Sequence, residues 1–329
     1  MAITEFSAAL NQVATERGIS PEQVLFSIKQ AIIAAFRKDN PGVVTEDDEL
    51  TIEMNPNDGS VKVIKDGKDV TPAGFGRIAT QTAKQVILQK VRETEKEVII
   101  EEYKAKIGSI VNAVIFRADS GLVIVDLGKT QGIMPPHEQI PTENYRLNQR
   151  IKVLIKEIQT TPRGEEIIVS RADPNFVKEL FSIEVPEINS GVVKIESVAR
   201  EAGSRTKIAV SSSDAHIDPV GSCVGQKGVR VQTIIKELGS EKIDIVTFSA
   251  DTEKYIAQSL SPATVTMVVL DEKTKTATIS VPEDQLSLAI GKEGQNVRLA
   301  AKLTGWKIDI KGSEKIIANE DAIEKNEKK

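Results

Sequence analysis

The chain has 329 residues, of which 40% are hydrophobic and 28% are charged, and its formal net charge is −5. This length has room for two to four domains, each with its own hydrophobic core. One cysteine, Cys223, excludes an internal disulfide, and two histidines, His137 and His216, offer a metal site almost no ligands. No apolar run approaches the ~20 residues that span a membrane. We therefore expect a cytoplasmic protein without a metal, a cofactor or a membrane partner.

Residues 1–103 predict an α/β domain in the order helix, helix, small sheet, long helix. Ser20 is a suitable N-cap with Pro21 at the first helical position, and apolar residues then recur at helical spacing as far as Phe36. From about residue 78 to 103 the pattern is a long charged helix, which suits either a solvated face or a rod that docks on a partner. Before that helix, residues 51–54 and 60–64 predict two strands of a hairpin, and residues 57–59 predict the turn between them.

Residues 104–172 change to the two-residue period of strands. Glycines and prolines separate five short strands, a pattern that predicts a small Greek-key barrel of the OB type. The segment resembles the RNA-binding OB domain named after ribosomal protein S-one, whose members stack bases on surface aromatics. Phe116 is the weaker RNA-binding candidate here, because it could equally be a core residue.

A short stretch, Val224–Gly228, has a counterpart of similar sequence later in the chain, Ile290–Gly294. Both copies are Gly-x-x-Gly loops between an apolar helix pattern and a longer one. With their flanking segments, residues 173–246 and 247–312 each predict the order helix, strand, strand, helix, loop, helix, strand. The repeating unit is therefore a whole small domain.

Glycines in such a loop let a sugar-phosphate chain approach the backbone, and the next helix start offers N–H groups to phosphates. A KH domain holds single-stranded RNA in this way. An ordinary helix-turn-helix with two turn glycines is the alternative, and the presence of two similar copies favours KH domains. The predicted RNA-binding residues are Gly225, Gln226, Lys227, Gly228, Arg230, Gly291, Lys292, Glu293, Gly294, Gln295, Asn296 and Arg298.

Together these segments predict a multidomain α+β protein. It has an α/β N-terminal domain with a long helix, a five-stranded OB-fold β-barrel and two tandem prokaryotic-type (type II) KH domains. A charged, flexible tail at residues 313–329 follows. The acidic excess lies in the N-terminal part and the tail, so RNA binding by the KH domains is compatible with the negative net charge.

Four longer stretches, residues 75–87, 180–188, 217–225 and 289–301, resemble the bacterial NusA family. The resemblance covers about residues 1–311 in the family's domain order. It implies a transcription elongation factor whose residues 1–103 bind RNA polymerase and whose other three domains hold nascent single-stranded RNA. We expect the protein to be a monomer. Such factors modulate pausing, intrinsic termination and antitermination, and they join other antitermination factors.

The chain departs from the family pattern in two places. The segment between Asn40 and Thr71 is shorter than usual, which bears on how polymerase is docked. No acidic repeat domain follows the second KH domain, so regulation through such a repeat is not expected.

Two other functions remain open at this point: a ribosome-associated structural RNA-binding protein, and the RNA-binding part of an RNA-decay enzyme. Residues 221–228 lack the Gly-Lys-Ser/Thr ending of a P-loop. No histidine–carboxylate cluster suggests a catalytic site, so we expect no enzyme activity and no catalytic residues.

Overall fold

The computed structural model describes residues 21–39, 50–54, 61–72, 96–119, 121–162, 164–239 and 241–312, with a few single positions between 74 and 89. The chain divides into two compact units, residues 1–102 and 103–329. None of the described helices is long and apolar enough to cross a membrane.

The first unit packs one helix on a small antiparallel sheet. Helix α1 (Pro21–Asp39) covers strands β1 (Leu50–Met54), β2 (Val61–Lys65) and β3 (Lys68–Asp69), which pair in that order. Its buried residues recur every four positions, so a single apolar face meets the sheet. They are Ile28, Ile32 and Phe36.

The described part of the first unit agrees with the predicted helix and two strands, and adds the short strand β3. Residues 96–104 are helical, as the long-helix pattern predicts. The predicted first helix, the turn at residues 57–59 and most of residues 78–95 lie outside the described residues.

The second unit begins with a closed five-stranded barrel. Its order is β4-β5-β6-β8-β7, and β7 pairs back onto β4. The β6–β8 pairing is parallel and the other four are antiparallel, which is the strand arrangement of an OB fold. The predicted barrel is thus confirmed, with strands β4 (Ile110–Asp119), β5 (Leu122–Asp126), β6 (Gln131–Met134), β7 (Arg150–Thr161) and β8 (Gly164–Ser170).

Two domains of like topology follow, each a three-stranded sheet with helices on one side. In both, the middle strand is antiparallel to one neighbour and parallel to the other. The first contains α2 (Pro174–Glu184), α3 (Pro186–Asn189), β9 (Val193–Glu201), β10 (Arg205–Ser212), α4 (Pro219–Val224), α5 (Val229–Glu237) and β11 (Lys242–Thr247). The second contains α6 (Thr252–Ser259), β12 (Met267–Asp271), β13 (Thr276–Val281), α7 (Glu283–Ile290), α8 (Gln295–Thr304) and β14 (Lys307–Gly312).

This element order is the predicted prokaryotic KH order, and its helix starts follow capping rules. Asp218 precedes Pro219 and accepts a hydrogen bond from the Val220 amide at 3.0 Å. Asp251 caps α6 in the same way through the amides of Glu253 and Lys254. The short helix α3 was not predicted; it begins at Pro186.

Buried arginines join the barrel to the first KH domain. The guanidinium of Arg200 forms a bidentate pair with Glu241, with both N–O distances at 2.9 Å and both side chains fully buried. Arg171 pairs with Glu143 from the barrel side and with Glu237 at the end of α5. Both arginines lie over the Phe176 ring. Because such charges are stable in the interior only when fully paired, this network fixes the two domains together.

The two KH domains share a packed seam (Ala199, Ala209, Val246, Tyr255, Leu299 and Leu303). Helix α8 of the second domain lies on the sheet of the first, where the Tyr255 hydroxyl contacts Ser197 Oγ at 2.7 Å and donates to the Leu303 carbonyl. The Lys207 ammonium crosses the same seam to the Ser261 carbonyl at 2.7 Å. Burial lowers the pKa of this lysine, while Asp244 opposes the shift.

Candidate nucleic-acid interface

The first glycine of each loop has a backbone that only glycine adopts readily. Gly225 has φ 73° and ψ 174°, and Gly291 has φ 74° and ψ 172°. Close packing excludes a side chain as well. A Cβ on Gly225 would lie 2.7 Å from Cγ of Arg230, and one on Gly291 would lie 2.8 Å from the backbone nitrogen of Asn296. The two loops therefore share one geometry, which their sequences impose independently.

The last glycine of each loop forms the start of the following helix. Gly228 and Gly294 are left-handed N-cap residues, and neither has a side chain that could cap the first turn. The first-turn amides of α5 and α8 are consequently not covered by a capping side chain. Amides at a helix N-terminus attract anions such as phosphate.

The two residues between the glycines are exposed but differ in charge between the copies. Gln226 is equivalent to Lys292, and Lys227 is equivalent to Glu293. Lys227 and Glu293 also share an unusual positive φ, at 51° and 53°. The two predicted loop lysines thus occupy different positions. The first loop is basic at the position where the second loop is acidic.

Two predicted RNA-binding residues, Arg230 and Asn296, support the loops by hydrogen bonds to the preceding helices. Arg230 and Asn296 are structural equivalents, each two residues after the last glycine. Arg230 donates to the Ser222 carbonyl at 2.7 Å, and Asn296 donates to the carbonyls of Leu288 and Ala289 at 3.3 and 3.1 Å. These carbonyls end the helix that precedes each loop, so both side chains tie that helix to the next one.

The structure changes the interpretation of two predicted residues. Arg230 and Arg298 were both predicted to bind RNA, but they do not occupy equivalent positions in the two domains. Asn296 is fully buried, so its side chain supports the loop from inside the fold and does not face solvent. Arg230 also forms an ion pair with Glu187 on α3 at 2.9 Å, which offsets part of its charge.

Gln295 and Arg298 lie at the edge of the seam. Arg298 forms an ion pair with Glu201 on β9 at 2.6 Å, and Gln295 donates to Glu201 and to Ser204 at 2.8 and 2.7 Å. The Arg298 hydrogen bond holds the pKa of Glu201 below its usual range, although partial burial opposes it. The second loop is therefore anchored to the first KH domain. RNA contacts by these two side chains stay a prediction.

A groove of about 750 Å³ opens beside the first loop. Val229, directly after the loop, is 64% exposed although it is apolar. An exposed apolar side chain next to a phosphate-binding loop suits contact with an unstacked base. Val229 and Glu187 were not among the residues predicted from the sequence. Of the two, only Val229 could have been indicated by its position next to the loop. The lining residues are Glu187, Ile217, Asp218, Gly221, Ser222, Gly225, Gln226, Val229 and Arg230.

Phe116 on the barrel is a surface residue. It is the extra residue of a β-bulge in β4, because Ile115 pairs with Val125 while Arg117 pairs with Ile124. Its side chain is 55% exposed, which excludes the core alternative. Base stacking by this ring stays a prediction.

Cys223 does not add a reactive thiol to this surface. Cys223 is fully buried, and burial raises the pKa of its thiol to about 12. Such a thiol is protonated and shielded, so it serves as a small core residue. Within the described ranges, no group of three or more histidine, cysteine, aspartate and glutamate side chains could hold a metal ion.

Family models match three parts of the chain. Residues 171–248 match the NusA-like first KH domain, and residues 252–317 match the NusA-like second KH domain. Residues 5–73 and 64–97 match the NusA N-terminal domain.

Two relatives that match over nearly the whole chain have the same name. The transcription termination/antitermination protein NusA of Bacillus subtilis is 44% identical over 340 residues, which cover 94% of this chain and 91% of that protein. The protein of the same name from Thermus thermophilus is 37% identical over 94% of this chain and 90% of its own length. The solution structure of the N-terminal domain of NusA from Bacillus subtilis matches 28% of this chain and 97% of that domain, with 29% identity and a TM-score of 0.24.

Proposed function

The chain belongs to the NusA family of transcription termination/antitermination proteins, and we propose that it acts by binding both RNA polymerase and nascent single-stranded RNA. Through these contacts it modulates pausing, intrinsic termination and antitermination. The observation that carries the RNA part of the proposal is the pair of Gly-x-x-Gly loops with matching backbone angles, both facing solvent at a helix start.

The proposal assigns a role to each segment. Residues 1–103 bind polymerase, residues 104–172 form an accessory RNA-binding barrel, and residues 173–246 and 247–312 each hold RNA at a Gly-x-x-Gly loop. The protein acts by binding and not by catalysis, as a monomer that other antitermination factors can join. The ribosome-associated and RNA-decay alternatives are not favoured, because the relatives matched over nearly the whole chain are named as transcription factors.

We expect a fragment of residues 1–103 to retain RNA polymerase in a pull-down, and a fragment of residues 104–312 not to retain it. The division of the chain into two compact units near residue 102 supports cutting it there. Both fragments are immobilised at equal density and exposed to purified polymerase without RNA. Polymerase retained only by the RNA-binding fragment would overturn the assigned roles.

The packed seam supports a second part of the proposal, that both KH loops grip one strand as a rigid unit. Two sites held at a fixed distance share a high effective concentration, so a strand that reaches both gains avidity. Strand β11 continues through Phe248, whose amide donates to the Val210 carbonyl. Between Phe248 and Asp251, the N-cap of α6, lie only Ser249 and Ala250. The seam, more than the short connection, holds the domains.

Replacing Leu299 by aspartate is expected to weaken binding of an RNA that spans both loops by about tenfold or more, through lost avidity. Leu299 is fully buried in the seam, and an unpaired carboxylate there forces the domains apart. Binding of a four-nucleotide RNA should change little, since each loop keeps its own residues. Fluorescence anisotropy with both RNAs measures the difference.

Leu299→Met is the matched control, because methionine keeps the volume and apolar character of the seam. It should bind both RNAs as the parent does. If Leu299→Asp binds the long RNA with parental affinity while circular dichroism shows it folded, the two loops do not act as one rigid unit.

A further inference from the structure

The groove beside the first loop contains a carboxylate, a group that repels phosphate. Glu187, on the short helix α3, lines this groove together with Arg230. Its Oε2 atom accepts a hydrogen bond from the Arg230 guanidinium at 2.9 Å, and its side chain is 31% exposed. No donor among the described residues reaches its Oε1 atom. The carboxylate is therefore fixed in the groove with acceptor capacity left for a ligand.

Arg230, which holds this carboxylate, is itself fixed to the loop. The nitrogen that donates to Glu187 also donates to the Ser222 carbonyl at 2.7 Å. The aliphatic stem of Arg230 packs against Gly225, because a Cβ at that glycine would lie 2.7 Å from the arginine Cγ. The position of the carboxylate relative to the loop is thus set before a ligand binds, which lowers the entropic cost of binding.

The second KH domain does not repeat this carboxylate–guanidinium pair. In both domains a proline follows shortly after the first helix, and the next residue is Glu187 in the first domain and Ala263 in the second. The structural equivalent of Arg230 is the buried, uncharged Asn296. Of these two grooves, the first alone has a carboxylate at this position.

We propose that the groove beside the first loop selects guanine and that Glu187 is the residue that reads the base, an inference that rests on the proposed binding of single-stranded RNA. A carboxylate only accepts hydrogen bonds. The Watson–Crick edge of guanine offers two neighbouring donors, the N1–H group and the N2 amine, which match the two carboxylate oxygens. The other three bases each place an acceptor atom beside their donor. Val229, which is 64% exposed, supplies apolar surface for the plane of the base.

Fluorescence anisotropy with the full chain tests this selection, using short uridine-rich RNAs that differ at one central nucleotide. Guanosine there should give about tenfold tighter binding than adenosine, the discrimination that one bidentate pair provides. Inosine lacks only the N2 amine, so its RNA should bind more weakly than the guanosine RNA. Equal affinities for all of these RNAs would overturn guanine selection and leave the RNA-binding proposal intact. A protein that binds none of them would overturn both.

Replacing Glu187 by glutamine changes the hydrogen-bonding pattern and keeps the shape of the side chain. The amide offers one acceptor and one donor, which complement the edge of adenine, so Glu187→Gln should bind the adenosine RNA at least as tightly as the guanosine RNA. Glu184→Gln is the matched control, because it makes the same change at the end of α2, outside the groove lining, and should keep the parental preference. A guanosine preference that survives Glu187→Gln, or that is lost equally in both variants, would overturn the proposal.

Discussion

Replacing Glu241 by alanine is expected to reduce the free energy of unfolding of the second unit by about 3–5 kcal/mol, the usual cost of removing one partner of a buried ion pair. Glu241 accepts two hydrogen bonds from Arg200 at 2.9 Å, one from the Gly203 amide at 2.8 Å and one from the Thr206 hydroxyl. All of these donors lose their acceptor in the variant. The Arg200 charge then has no counterion at a fully buried position.

Urea titration measures this loss through the fluorescence of Trp306, the single tryptophan, together with circular dichroism. Asp119→Ala is the control, because Asp119 pairs with Arg117 at 2.7 Å on the surface, with more than half of each side chain exposed. Removing such a surface pair should cost no more than about 1 kcal/mol. Similar urea midpoints for the two variants would show that the buried pair stabilises the second unit no more than a surface pair does.

The Lys227→Asp protein is expected to bind single-stranded RNA about tenfold more weakly at ~0.1 M salt, because a phosphate contact is replaced by repulsion. The side chain is exposed in the first loop, so the fold should be unaffected. The dependence of affinity on salt should also become shallower, by about 0.7 in the logarithmic slope for one lost contact. Anisotropy titrations at several salt concentrations measure both quantities.

Two further substitutions sharpen this test. Lys178→Asp makes the same charge change at an exposed position of α2, outside the loop and outside the groove lining, and should have a much smaller effect. Glu293→Lys gives the second loop the charge that the first loop has at the equivalent position, and should tighten binding. Equal losses from Lys227→Asp and Lys178→Asp would mean that general charge, and not the loop, determines affinity.

The loops were predictable because their geometry depends on glycine. A positive φ with an extended ψ, as at Gly225 and Gly291, excludes other residues, so the two Gly-x-x-Gly patterns carry the information locally. The five strands of the barrel were predictable in the same way, from a two-residue period between glycines and prolines. Local conformational rules were sufficient for these elements.

The supporting contacts were not predictable because they depend on which elements meet. Asn296 reads as an exposed polar residue at a helix start, yet it is buried beneath the loop. Arg200 and Glu241 read as surface charges, since nothing in the sequence near either one reveals its partner. Leu299 has the pattern of an ordinary helix core residue, and only the packed structure shows that it faces the neighbouring domain.

The lifetime of a hairpin-stabilised pause, measured with purified polymerase, tests the central claim most directly. Three reactions are compared: without the protein, with the parent, and with the Lys227→Asp, Lys292→Asp double variant. We predict that the parent lengthens the pause and that the double variant, although it still binds polymerase through residues 1–103, lengthens it less. An unchanged pause with the parent, or equal pauses with the parent and the double variant, would contradict the account.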